Sequence, residues 1–189
     1  MVDNRQNAVN HHNTKLIAYL CNRRFGIGGD GMMFLQNLEG YDFEMVYYNA
    51  DGQPSSMCGN GGRCIVAFAK FLGIIDSETD FLAVDGPHHA KISASGDWVS
   101  LQMIDVDEVN RDGEAYVLNT GSPHYIAMAS GLKDKDVYAD GYAIRLNMLY
   151  RVAFRKISFT MLGNFLAVTC SPNILLIDEK AVSAIHLCP

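Results

Sequence analysis

The residues best suited to chemistry in this chain stand in one short run, MCGNGGRCIVAFAKFLG, Met57 to Gly73. From Arg63 to Leu72 only Arg63 and Lys70 are polar, so the run predicts a helix over about residues 61–73 with almost no wet face. Cys58 then stands at the N-terminus of that helix, where outward-pointing backbone N–H groups and the macrodipole favour an anion. Gly59, Gly61 and Gly62 would let backbone amides come close to a bound carboxylate. A thiolate beside a carboxylate cradle is the chemistry that this spacing points to. The structural alternative is a cysteine buried in a glycine turn, but a core thiol gains nothing from three glycines that each cost a helix about 1 kcal/mol relative to Ala. Cys64, inside the apolar run, reads as core, and its spacing from Cys58 is not that of a zinc knuckle.

Three other stretches carry residues of chemical interest. NTGSPHY, Asn119 to Tyr125, sets His124 just after a Gly-Ser-Pro turn, where an imidazole near a thiol could adjust its ionisation. GIGGDG, Gly26 to Gly31, matches the dinucleotide-binding spacing G-x-G-x-x-G. That fingerprint needs a strand before it and a helix after it, whereas here a helical pattern precedes and a strand-like run comes next, so a tight loop is the preferred reading. His88 and His89 in GPHHAK have no carboxylate or cysteine at ligand spacing and read as a solvated turn.

The elements that must position these groups are mostly strands. KLIAYLCN, residues 15–22, has helical spacing; MMFLQNL and YDFEMVYYNADG read as strands, the second closing on an Asn-Ala-Asp-Gly turn. After the apolar helix come FLAVDG, AKISASG and DWVSLQMIDVDEV, again strand-like. A helix apolar all round must be enclosed, so the pattern predicts an α/β (α+β) fold in which a curved mixed sheet wraps a central buried helix. The polar stretch VNRDGEA suggests a boundary, with a first half over residues 1–112 and a second over 113–189, where YVLNTGSPHYIAMA reads as a strand, a turn and a further element.

The 189 residues are 49% hydrophobic and 19% charged, as expected of a globular protein, and the net charge of −6 disfavours nucleic acid or an anionic membrane as partner. No run is long enough to span a bilayer and the N-terminus lacks a signal-peptide layout, so a cytoplasmic location is expected. Five unevenly spaced cysteines fit free thiols in a reducing compartment. Beyond Leu146 the one glycine is Gly163 and the acids are Asp178 and Glu179, so an acidic, glycine-containing body gives way to a basic, apolar tail.

RRFGIGGDG, NADGQPSSMCGNGGRC and NTGSPHY, in this order with strands between, resemble the diaminopimelate epimerase family from about Asp3 to about Arg145. The resemblance implies two similar α/β halves, each a curved sheet around a central helix, and a cofactor-independent interconversion of LL- and meso-diaminopimelate. In that chemistry two cysteines face opposite sides of the substrate α-carbon, one removing a proton as thiolate and the other returning one as thiol. Cys58 matches one of them, and His124 matches the histidine that adjusts the pair. Asn49 of NADG would contact substrate, Gly59 and Asn60 would hold its α-carboxylate through backbone N–H groups, and Ser122 stands where many members have Asn. No metal or pyridoxal cofactor is implied; the partner is a small amino acid, and a homodimer is allowed.

The departures are as specific as the matches. The family's opening Gly-Asn-Asp-Phe is absent, and MVDNR resembles the family segment just after that opening. The Glu-Arg pair and the second Cys-Gly-Thr-Gly have no counterpart, because Cys170 lies in VTCSPN and Cys188 in HLCP. Resemblance ends after about residue 145, where composition also changes. The expectation is an impaired epimerase with an incomplete second half, from a truncated, frame-shifted or chimeric gene. A non-catalytic remnant, a related isomerase of the same fold and a dinucleotide-binding protein are the alternatives.

Overall fold

The computed structural model describes residues 1–120, 123–128, 136–146, 158–162, 165–169, 177–178 and 181–182. The chain divides into two compact units, one made of Met1–Met57 and Gly61–Ile104, the other of Cys58–Asn60 with the residues from Asp105 onward.

The first unit is built on a six-stranded mixed sheet. Its strands are β1 (Val2–Asp3), β2 (Gly31–Gln36), β3 (Phe43–Asn49), β4 (Glu78–Ala83), β5 (Gly86–Ile92) and β6 (Val99–Leu101), which succeed one another across the sheet in chain order. β1–β2 and β3–β4 are parallel and the other pairs antiparallel. Both parallel joins need a crossover, and helices supply them: α1 (Thr14–Cys21) between β1 and β2, and α2 (Gly59–Phe71) between β3 and β4.

These crossovers cover opposite faces of the sheet. Alternation along a strand sends Leu35, Phe43 and Met45 to the layer that holds Ile65, Val66 and Ala69 of α2. It sends Phe34 and Tyr48 to the layer that holds Ile17 and Cys21 of α1. Strands buried on both faces explain why MMFL and FEMVYY read as nearly continuous apolar runs. From Gly59 to Lys70 no residue of α2 is exposed, as its composition predicts, and Phe71 is the first to reach solvent. The helix starts two residues before the predicted Gly61. It ends in paired capping bonds, Gly73 N–H to Lys70 O at 2.9 Å and Ile74 N–H to Ala69 O at 3.0 Å.

The GIGGDG segment closes the end of α1. Ile27 and Gly28 N–H both donate to Leu20 O, and Gly29 N–H donates to Cys21 O, so the loop satisfies carbonyls that the helix leaves over. A Cβ at Gly26 would lie 2.1 Å from Tyr19 O, which is why the loop can fold so tightly only with glycine there. A helix before and a strand after reverse the order a dinucleotide site requires.

Two local readings change. DWVSLQMIDVDEV yields the short β6 and, at its last residue, the start of β7, and residues 102–108 between them are irregular. GPHHAK is not a solvated turn but β5, with His88 on the inner face at 2% exposure. Its neighbours supply what the spacing argument missed, because a carboxylate three residues earlier, on Asp85, reaches the ring across the β4–β5 turn.

In the second unit, β7 (Val109–Asp112), β8 (Ala115–Asn119), β9 (Pro123–Met128), β10 (Ser158–Leu162) and β11 (Phe165–Thr169) form an antiparallel sheet in the order β10-β11-β9-β8-β7. VNRDGEA thus holds strand β7 and the Gly113-Glu114 turn into β8, and Leu118 and Ile126 form a small core with Val106 and Tyr116. α3 (Val137–Leu146) and a two-stranded pair, β12 (Ile177–Asp178) with β13 (Ala181–Val182), complete the described elements. Among the described residues no helix is long and apolar enough to cross a membrane.

Candidate active site

Cys58 immediately precedes the first helical residue of α2, at the end where backbone N–H groups project along the axis. It is 7% exposed, and Gly59 beside it is buried while Asn60 is half-buried. A Cβ at Gly62 would lie 2.7 Å from both Leu101 Cδ2 and Met57 Cε, so the side chains of Leu101 and Met57 fill the space beside it. Cys64, read from the sequence as core, is only partly buried within the helix and is more exposed than Cys58.

Asn49 ends β3 in a turn whose backbone is held at every step. Its N–H donates to Gln53 O and its carbonyl accepts from Gly52 N–H, both at 2.9 Å, while Ala50 N–H donates to Asp30 O at 3.1 Å. The Ser55 hydroxyl donates to Asn49 Oδ1 at 3.2 Å, which fixes the orientation of the amide. Asp51 Oδ1 accepts from Gln53 N–H at 2.9 Å, an Asx turn that accounts for the Asp-Gly signal in the sequence.

His124 lies on β9, opposite Leu118 of β8 and Thr169 of β11. It is 3% exposed, and its Nδ1 lies 3.3 Å from the Thr120 hydroxyl, itself buried. Cys58, Gly59, Asn60 and His124 therefore fall in one compact unit and Asn49 in the other. Ser122 lies outside the described residues, as do Cys170 and Cys188. Ser55 and Thr120 are partners that sequence reasoning did not single out. A serine six residues past Asn49 and a threonine four before His124 have no pattern that marks them.

The segment leading into Cys58 lines a pocket of about 160 Å³ through Ser55, Ser56 and Met57, together with Ala83 at the end of β4 and Val84 just beyond it. Burial in the α1 layer pushes the Cys21 thiol up, with the Asp30 charge adding to the effect. Among the described residues no three His, Cys, Asp or Glu side chains converge as a metal would need.

The first unit thus carries a mixed sheet with an enclosed helix headed by Cys-Gly-Asn-Gly, and comparison with known sequences shows which family shares it. Residues 1–110 match the family described as diaminopimelate epimerase. Over 159 residues the chain is 52% identical to the diaminopimelate epimerase of Flavobacterium psychrophilum, covering 84% of this chain and 62% of that one. It is 40% identical over 154 residues to that of Chlorobaculum tepidum, covering 78% and 59%. The chain belongs to the diaminopimelate epimerase family. It spans about three fifths of the length of these curated relatives.

Proposed function

We propose that this chain carries the chemistry of its family, the cofactor-independent interconversion of LL- and meso-diaminopimelate, with Cys58 as one of the two groups that exchange the α-proton. The observation that carries the reading is Cys58 at the head of α2, in a sequence context shared with the family over residues 1–110. In this reading backbone N–H groups of Gly59 and Asn60 hold the substrate α-carboxylate, where the end of a helix favours negative charge. Abstraction moves the α-proton to the Cys58 sulfur and leaves a carbanion whose charge spreads into that carboxylate. A second acid on the opposite face then delivers a proton to the same carbon. His124, held by Thr120, adjusts the ionisation of the thiol, while Asn49 and Ser122 contact the rest of the substrate.

Residues 1–112 serve in this reading as the first family half and those from 113 as the second. The second cysteine motif has no counterpart in the sequence, so a chain confined to these residues is an impaired epimerase. The partner is a small amino acid rather than nucleic acid or membrane, in a cytoplasmic setting that allows a homodimer.

The test measures solvent deuterium entering the α-carbon of diaminopimelate, with the chain as it stands and with a family second half restored. Activity is expected from the restored form, and Cys58→Ala should lower it by at least about a hundredfold, the usual scale of a lost acid or base. Cys64→Ala should leave exchange within a few-fold of the parent. Undiminished exchange by the Cys58→Ala protein would end the assignment.

A further inference from the structure

The histidine pair in GPHHAK is the motif that the proposed chemistry leaves unused, and its two members have different fates. His89 is on the outer face of β5, bonded to Asp80 Oδ1 at 2.9 Å in the solvent. His88 is enclosed. Its Nδ1 lies 2.9 Å from Gln102 O, its Nε2 lies 2.9 Å from Asp85 Oδ1, and its side chain has no exposed surface.

Those two contacts determine where the protons are. A carbonyl oxygen only accepts, so Nδ1 carries a hydrogen and donates it to Gln102. With that nitrogen committed, a neutral ring would turn the Nε2 lone pair toward the Asp85 carboxylate, two acceptors face to face with no water between them. A proton on Nε2 removes the conflict and makes the contact a charge-assisted bond. The surroundings favour the cation further. Phe43, Phe81 and His88 stack across β3, β4 and β5, at centroid separations of 5.0 and 5.4 Å, so the ring lies on an aromatic face that attracts positive charge.

We propose that His88 and Asp85 form a buried imidazolium–carboxylate latch that clasps the β4–β5 turn to the strand end at Gln102 and releases it when the bridging proton is lost. The other carboxylate oxygen, Asp85 Oδ2, is buried and meets no donor among the described residues, so the aspartate depends on His88 for its compensation. Gln102 N–H returns a bond to His89 O at 2.8 Å, which ties the same two segments a second time and confines the change to the turn. Ala83 and Val84, in and just beyond β4, form part of the wall of the pocket that precedes Cys58.

The other charges near β5 do not compete for the imidazole. On β4, Glu78 and Asp80 are on the outer face with Lys91 and His89. On α2, which packs beneath β5, Lys70 Nζ donates to Asp76 O. Burial pulls the His88 ionisation down and is the largest influence on it, but the bonds to Asp85 and Gln102 outweigh it and the net direction is up. A group raised in the folded state contributes stability that is complete below its unfolded value, and loses it as pH rises through the folded one. The latch is therefore closed at acid to neutral pH and opens on the alkaline side.

Nitrogen-15 NMR of the full chain at pH 6.5 reads the state directly: both His88 ring nitrogens should show protonated shifts. Amide hydrogen exchange at Val84, Asp85 and Gly86, corrected for the intrinsic pH effect, should accelerate about tenfold or more between pH 6.5 and 9, while amides of β2 and β3 hold their protection. In His88→Gln, which keeps a donor but cannot titrate, the difference between the two pH values should disappear. An unprotonated Nε2 at pH 6.5 overturns the proposal, and so does exchange at the turn that is unchanged by pH in the parent. The parent measurements decide the matter even if the variant does not fold.

Discussion

Gly52→Ala should be among the most damaging single-methyl additions in the first unit, and the structure allows its cost to be separated into parts. Gly52 has φ +80° and its added Cβ would lie 2.1 Å from the backbone oxygen of Thr14, the first residue of α1. Gly40 has φ +87° with nothing within 4 Å, so Gly40→Ala carries the conformational part alone. Left-handed backbone costs an alanine about 1–2 kcal/mol, and the lost freedom of the unfolded chain returns about 0.4–1 kcal/mol. Gly40→Ala should therefore cost between about 0 and about 1.6 kcal/mol.

At Gly52 the contact must open by roughly 1 Å against backbone rather than a flexible side-chain end, adding about 1–3 kcal/mol of overpacking. At about 4–8 °C per kcal/mol for a unit of this size, Gly40→Ala should lower Tm by a few degrees and Gly52→Ala by about 10–20 °C. Circular dichroism melts of the full chain, parent and both variants, provide the measurement. Two variants melting within a degree or two of each other would mean that the close approach of the Asn49 turn to α1 contributes nothing.

The same contacts predict further outcomes. With iodoacetamide at pH 7, Cys58 should be alkylated faster than Cys21, whose thiol is pushed up by burial; peptide mapping over a time course reads the ratio, and equal rates would contradict it. Asn13 Oδ1 accepts from Leu16 N–H at 3.1 Å as the N-cap of α1, so Asn13→Ala should cost about 1 kcal/mol in urea unfolding with an unchanged m-value.

The parts of the fold legible in the sequence are those where one signal acts without competition. α2 could be read because a ten-residue run with two polar members has no other soluble home, and β2 and β3 because both of their faces are apolar. The GIGGDG loop was legible by order of elements rather than by its motif. Where polar residues do structural work, type alone misled. His88 and Asp85 satisfy each other across a turn, and nothing in the composition of GPHHAK distinguishes the buried ring from the exposed one next to it. The β7–β8 hairpin carries exposed side chains on an edge strand, so it has the composition of a linker. At the candidate site, Cys58 and Asn49 stood out by motif, whereas Ser55 and Thr120 act through single hydrogen bonds that leave no periodicity.

The sheet of the first unit also works as a partition. Residues 32, 34, 46 and 48 belong to the layer of α1 and residues 33, 35, 45 and 47 to the layer of α2, so neighbours along the chain belong to different neighbourhoods. Phe34 and Leu35, joined by one peptide bond, share no packing layer. A lineage could therefore rework the side chains on one face, trading bulk among Met32, Phe34 and Val46, without reopening the fit on the face that encloses the helix leading from Cys58.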